Sequence, residues 1–218
     1  MTPCLIGMNA LLRRWGLLMP YQYEIFLSYP RLPMVVKWLD KFFEPLFSQW
    51  LREELLAQDP RMKLRIFRDR DIGAGEQWPR IIREAARDSR CAVAILMPSY
   101  FASDWCRAEW ATFRLRGKEH SRNLLVPVRF HDCLHMSLAE QVFDLSQYTA
   151  MAEDTPRWVD FNDQVKDLAA QVAQRVLSAP PYPADPECAR WLALEVPDSP
   201  SLPPILPSAF DLNDTPED

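Results

Sequence analysis

The run CAVAILM at residues 91–97 decides the fold. It is apolar throughout, with Ser89-Arg90 before it and Pro98-Ser99 after it. A strand with one face in water alternates apolar and polar side chains, whereas a strand covered on both faces is apolar along its length. The run therefore reads as the central strand of a parallel sheet with helices above and below.

The segments on either side supply the rest of such a sheet. Upstream, WPRIIREAARD (78–88) carries Ile81, Ile82 and Ala85 on one face and opens with Pro79. Proline suits the first turn because its missing N–H would have no partner there. RDRDIGAGEQ (68–77) is a polar, glycine-containing loop, and KLRIF (63–67) is a short strand. Residues 34–56 place Val35, Val36, Leu39, Phe42, Phe43, Leu46, Phe47, Trp50, Leu51 and Leu55 at helical spacing, and Pro45 either kinks this helix or splits it. YEIFLS (23–28), rich in aromatic and β-branched residues and ended by Ser-Tyr-Pro, is the first strand. Downstream, residues 104–116 are helical. NLLVPVRF (123–130) is a fourth strand, whose Pro127 argues for an edge position or a bulge. A fifth strand is expected at 144–148. A closing helix follows at 158–177, with Val165, Leu168, Ala169, Val172 and Val176 on its apolar face. Strands alternating with helices imply βαβ units, hence an α/β fold with about five parallel strands.

The chain has 218 residues, with twenty prolines against five glycines and a formal net charge of −5. Ten of those prolines lie beyond Ala179, with eight acidic residues and one basic residue, Arg190. Residues 1–178 therefore carry about +2, and the acidity belongs to the tail. A domain this close to neutral has no electrostatic footprint for nucleic acid. Three parts follow: an N-terminal extension at 1–20, a domain at 21–178 and a proline-rich acidic tail at 179–218. The tail is expected to be extended or disordered and dispensable for folding, apart from the apolar island CARWLALEV at 188–196. The extension is apolar but interrupted by Arg13 and Arg14, which suits a short helix better than a signal peptide. No stretch reaches the length of a transmembrane span. The five cysteines form no CxxC pair, and the three histidines lack metal-site spacing, so no metal is expected. Free thiols suit a reducing cytoplasm.

The order of the pieces resembles the TIR (Toll/interleukin-1 receptor) domain family. Phe26, Leu27, Ser28 and Tyr29 match the end of its first strand. Asp69, Asp71, Gly73 and Gly75 match its BB loop, and Ser89 and Arg90 the end of the next helix. Ser103, Trp105, Cys106 and Glu109 match its Ser-x-Trp-Cys-x-x-Glu element. The resemblance covers residues 21–177 and implies a flavodoxin-like three-layer fold.

It also implies an activity. Some members are scaffolds, and others cleave NAD+ with a glutamate at the position of Glu109. On that branch Glu109 is catalytic, while Ser28, Tyr29, Arg31, Asp69 and Trp105 contact the substrate. Asp71, Ile72, Gly73 and Gly75 of the BB loop would then join one copy to the next. NAD+ is a substrate here and no cofactor is expected, since no GxGxxG follows a strand. The implied protein is a bacterial antiphage effector, switched on by TIR–TIR self-association and by a sensor protein that triggers assembly. The alternatives are a non-catalytic TIR scaffold and a secreted effector that interferes with host TIR signalling.

The residues also have plainer readings. By pattern alone Glu109 is an exposed helix residue. Trp105, one turn earlier, either packs in the core or walls the nicotinamide pocket. Cys106 lacks a nearby base and reads as structural. Asp69 and Asp71 are common loop-capping residues.

Overall fold

The computed structural model describes residues 21–69, 78–133, 142–149 and 156–182. Strand β1, Tyr23–Ser28, is buried on both faces beyond Tyr23. Phe26 packs against Phe113 at 5.6 Å between ring centroids, so alternate residues of the strand reach opposite helical layers.

The helical region after β1 is divided as Pro45 suggests, although the break precedes the proline. Helix α1 spans Pro33–Trp38, a π-helical turn spans Leu39–Phe43, and α2 spans Glu44–Gln58. The Glu44 N–H donates to the Leu39 carbonyl, five residues back. Pro45 has no N–H to return four residues, and a wider turn just before it absorbs the missing bond. Trp38, Phe43 and Phe47 stack along this region, and Trp38 also meets Phe130 and Phe161.

Strand β2 is only Ile66–Phe67, shorter than the expected 63–67. The Arg65 N–H is taken by the Glu24 carboxylate at 2.7 Å, so Arg65 bonds the β1 backbone only through its carbonyl, which accepts from the Glu24 N–H at 2.9 Å. Helix α3, Trp78–Asp88, has the expected bounds and leads into β3, Ser89–Leu96, which contains most of the apolar run. After the short α4, Pro98–Ala102, helix α5 spans Asp104–Glu119. Gly117, near its end, is required by close approach: a Cβ there would meet the Arg122 carbonyl oxygen at 2.4 Å.

Strand β4, Leu125–Arg129, overturns the expectation of an edge or a bulge at Pro127, because it is paired on both sides. The Leu124 carbonyl accepts from Ala92 and the Phe130 N–H donates to Leu96. Even-numbered residues thus bond to β3, and Pro127 faces β5, where pairing begins only at Val128. Its missing donor breaks no ladder bond. Strand β5 is Phe143–Asp144, displaced from the expected 144–148. Asp144 Oδ1 accepts from the Ser146 N–H at 3.0 Å, and this local turn carries the chain into a 3₁₀ turn at Ser146–Tyr148. Helix α6, Pro156–Leu177, closes the fold.

All four pairings are parallel, in the order β2-β1-β3-β4-β5. Helices α2 and α6 pack on each other on one face, and α3 and α5 pack on the other. This is the flavodoxin-like arrangement expected. Among the described residues no helix is long and apolar enough to cross a membrane.

The domain continues slightly beyond residue 178. Buried Pro180 accepts from the Tyr21 hydroxyl at 2.9 Å, and Tyr182 bonds Asp88 at 2.6 Å and packs edge-on against Tyr21. Removing the chain from Ala179 would strip these contacts, whereas the expectation is that the tail outside the island at 188–196 is dispensable for folding. The extension at 1–20 and the island at 188–196 lie outside the described residues.

Candidate active site

The last side chain of β1 organises the site. Ser28 Oγ donates to Glu109 Oε2 at 2.5 Å and lies 2.8 Å from the Tyr100 hydroxyl. A serine hydroxyl has one proton, so with Ser28 donating to the carboxyl, Tyr100 donates the second bond. The chain Tyr100–Ser28–Glu109 links α4, the end of β1 and α5. In this strand order β1 and β3 are neighbours whose connections leave in opposite directions, and the crevice between such strands is where open α/β sheets bind ligands.

Helix α5 presents Glu109 because of how it starts. Ser103 Oγ accepts the Cys106 N–H at 3.3 Å, and Asp104 sits in the first turn, favourable to the helix dipole. From that start, Cys106, Glu109 and Phe113 fall on one inward face. Glu109 is only 6% exposed, which corrects the expectation of an exposed position. A helix packed on a sheet buries a whole stripe, and the carboxyl tolerates this because Ser28 satisfies it.

Burial has a chemical consequence. It pushes the Glu109 carboxyl up from 4.5 to about 8; the Ser28 hydrogen bond opposes the rise, the Asp69 charge adds to it and the Arg31 charge opposes it. In this state the group is mostly protonated at neutral pH. Burial, followed by the Glu109 charge, also raises the Cys106 thiol, which fits a structural residue and not a nucleophile.

A second cluster adjoins the first. The Tyr29 hydroxyl donates to Asp69 Oδ1 at 2.6 Å, and Arg31 Nε donates to Asp69 Oδ2. Burial and then Asp69 raise the Tyr29 hydroxyl to about 12. The Arg68 guanidinium lies 5.0 Å above the Tyr29 ring and pairs with Asp40 at 2.6 Å and with Glu44. The structure thus brings Ser28 to Glu109 and, beside them, Tyr29 and Arg31 to Asp69. Trp105 is half-buried against the core. Asp71, Ile72, Gly73 and Gly75 lie outside the described residues.

Sequence reasoning missed two residues here. Tyr100 follows Pro98-Ser99 and looks like part of a strand-ending turn; only the packing of α4 against α5 aims its hydroxyl at Ser28. Arg68, in a charged stretch, reads as a solvated loop residue, yet it is fully buried. Among the described residues no group of three or more His, Cys, Asp and Glu could hold a metal ion.

A family model described as TIR domain matches residues 25–177. Among solved structures, the chain is similar to the TIR domains of the activated Roq1 resistosome directly recognizing the pathogen effector XopQ. Identity is 18%, coverage is 72% of this chain and 98% of that chain, and the TM-score is 0.36. No match is found among curated proteins.

Proposed function

The chain belongs to the TIR domain family, and from that premise we propose that it is an NAD+ glycohydrolase with Glu109 as its catalytic carboxylate. The observation that carries the reading is a buried, serine-bonded carboxyl at the switch point of the sheet, with its pKa raised to about 8. Strongly perturbed groups in such crevices are candidates for catalysis.

The reaction breaks the bond between ribose C1′ and the pyridinium nitrogen. The electron pair leaves with nicotinamide, which departs neutral and needs no general acid. Water supplies the oxygen that ends on C1′, and one proton is released. Positive charge develops on the ribose as the bond lengthens, in the manner of glycoside hydrolysis. An ionised Glu109 facing that ribose stabilises the charge, and in a site closed to water the effect is strong. The substrate itself favours the ionised form, because its pyridinium brings a positive charge beside the carboxyl. Ser28, held by Tyr100, fixes the carboxyl in place. Tyr29, Arg31, Asp69 and Trp105 frame the substrate.

A carboxyl that rests protonated suits an enzyme that is idle alone and active when assembled. Self-association through the BB loop, with Asp71, Ile72, Gly73 and Gly75 meeting a neighbour, is the proposed trigger, under the control of a sensor protein. The proposed setting is the bacterial cytoplasm, where NAD+ depletion would serve antiphage defence.

The test is incubation of purified protein with NAD+, dilute and then concentrated or crowded, with nicotinamide as the readout. Release that appears on assembly and disappears in Glu109→Gln supports the enzyme. An assembled protein that releases none is a scaffold.

A further inference from the structure

We propose that Arg68 is a positioning residue of the catalytic site: through the Tyr29 hydroxyl it fixes the Asp69 carboxylate, and with it Arg31, where the substrate is met. The proposal rests on the reading that this cluster binds NAD+ beside Glu109.

Strands β1 and β2 pair at Phe26 and Phe67, and β1 stops at Ser28 and β2 at Phe67. The residues that follow, Tyr29 and Arg68, meet where the two strands end. The guanidinium lies 5.0 Å above the Tyr29 ring, and its Nη2 donates to the Tyr29 hydroxyl at 3.4 Å. Its Nη1 donates to Asp40, in the π turn, and to Glu44, just after it. Arg68 is thus tied at one nitrogen to the helical layer and at the other to the site.

Proton accounting gives the arrangement its direction. A guanidinium only donates, so the Tyr29 oxygen accepts from it, and the one hydroxyl proton is left for Asp69. That proton goes to Asp69 Oδ1 at 2.6 Å, while Arg31 Nε donates to Oδ2 and Arg31 Nη2 to the Asp69 carbonyl at 3.3 Å. Both carboxylate oxygens are engaged, from two sides, and hydrogen bonds in such a chain strengthen one another.

Stability alone does not account for Arg68. Its side chain is 1% exposed, whereas Asp40 and Glu44, at 42% and 20%, keep contact with water. Exchange of a buried ionic group for an apolar one is often neutral or stabilising. Arg68 also leaves Nε buried without a hydrogen-bond partner among the described residues, which costs free energy. A group carrying that cost beside a reactive carboxyl fits a role in holding geometry. Glu109 itself is held by Ser28, with Tyr100 behind it, independently of this chain. Loss of Arg68 should therefore weaken substrate binding and spare the bond-breaking step.

The test compares the full-length wild type with Arg68→Lys, Tyr29→Phe and the double variant. Lysine keeps a charge for Asp40 and Glu44, but one ammonium cannot serve them and also cover the Tyr29 ring. The first measurement needs no activity. A Tyr29 hydroxyl proton should be resolved in the proton NMR spectrum of the wild type, absent from Tyr29→Phe, and lost or shifted upfield in Arg68→Lys with little change in melting. The second is steady-state kinetics. Each single variant should raise KM for NAD+ about tenfold with kcat held within about threefold, and the double variant should be no worse than either single. An arginine that only supports the fold would instead lower kcat with the active fraction, leave KM alone and add its effect to that of Tyr29→Phe. That pattern, a wild type without the hydroxyl signal, an Arg68→Lys spectrum with the signal in place, or an unchanged KM in Tyr29→Phe would each overturn the proposal. Should Arg68→Lys not fold, the wild-type signal and the KM of Tyr29→Phe still decide. If no protein releases nicotinamide, the glycohydrolase reading fails and the hydroxyl signal alone decides for or against Arg68.

Discussion

Replacing Glu109 by Gln removes a titratable proton from a buried site while leaving an acceptor for the Ser28 hydroxyl. The carboxyl pKa rises from 4.5 to about 8 on folding. The native state therefore holds this proton more tightly than the unfolded chain does. The stability it contributes is complete below pH 4.5 and is lost as pH rises through about 8. At about 1.4 kcal/mol per decade, the full loss is on the order of 4–5 kcal/mol. The variant lacks this term, so its stability should fall less steeply than that of the wild type between pH 5 and pH 9. Gln brings a second N–H into a site shaped for a carboxylic acid, at a cost of about 1–3 kcal/mol. That cost does not depend on pH, so it offsets the two curves without changing their slopes. Chemical denaturation at pH 5, 7 and 9 reads the difference directly. Parallel curves would refute the raised pKa, and with it the account of a carboxyl that rests protonated. Nicotinamide release should meanwhile fall roughly 10²–10³-fold, equivalent to about 3–4 kcal/mol of transition-state stabilisation. Unchanged release by the variant of an active wild-type protein would sink the catalytic assignment.

Four further outcomes are expected. In the wild type, kcat/KM for NAD+ should rise with pH through an apparent pKa near 8, and kcat through a lower one, because bound pyridinium favours ionisation; a profile flat from pH 6 to 9 contradicts this. Ser28→Ala leaves the Glu109 and Tyr100 oxygens without their shared partner; it should cost about 1–3 kcal/mol in denaturation and shift the kcat/KM profile to higher pH, since the lost hydrogen bond was lowering the pKa. Specific activity should climb steeply with protein concentration, and Gly75→Pro should suppress it without lowering the melting temperature; activity strictly proportional to protein, from a monomer, rules out the assembly trigger. Truncation after Tyr182 should leave melting unchanged, whereas truncation after Ser178 should cost about 1–2 kcal/mol through the lost Tyr21–Pro180 and Tyr182–Asp88 bonds; equal melting of the two would show that the strap contributes nothing.

The sequence by itself determined the α/β class and most of the elements. The apolar run at β3 and the helical spacing around Val35–Leu55 and Val165–Val176 are one-dimensional signals of burial, and burial on this scale follows the hydrophobic effect. The site residues were legible through a family resemblance in their order, which placed Ser28, Tyr29, Asp69 and Glu109 at strand ends or on the helix after β3. Local turns were less legible. Pro127 spelled an edge, but only the register shows that it faces the side where pairing has not yet begun. The second proline-dependent feature, the π turn before Pro45, depends on the Glu44 N–H reaching the carbonyl five residues back, at Leu39, in place of the one four residues back. The tertiary structure alone decided that Glu109 is buried, that Tyr100 completes its hydrogen-bonded chain and that Arg68 is enclosed by Tyr29, Asp40 and Glu44. Each depends on residues far apart in sequence meeting across packed layers. A helix residue's environment is set by what packs against its face, and so is the pKa of any carboxyl that the packing encloses.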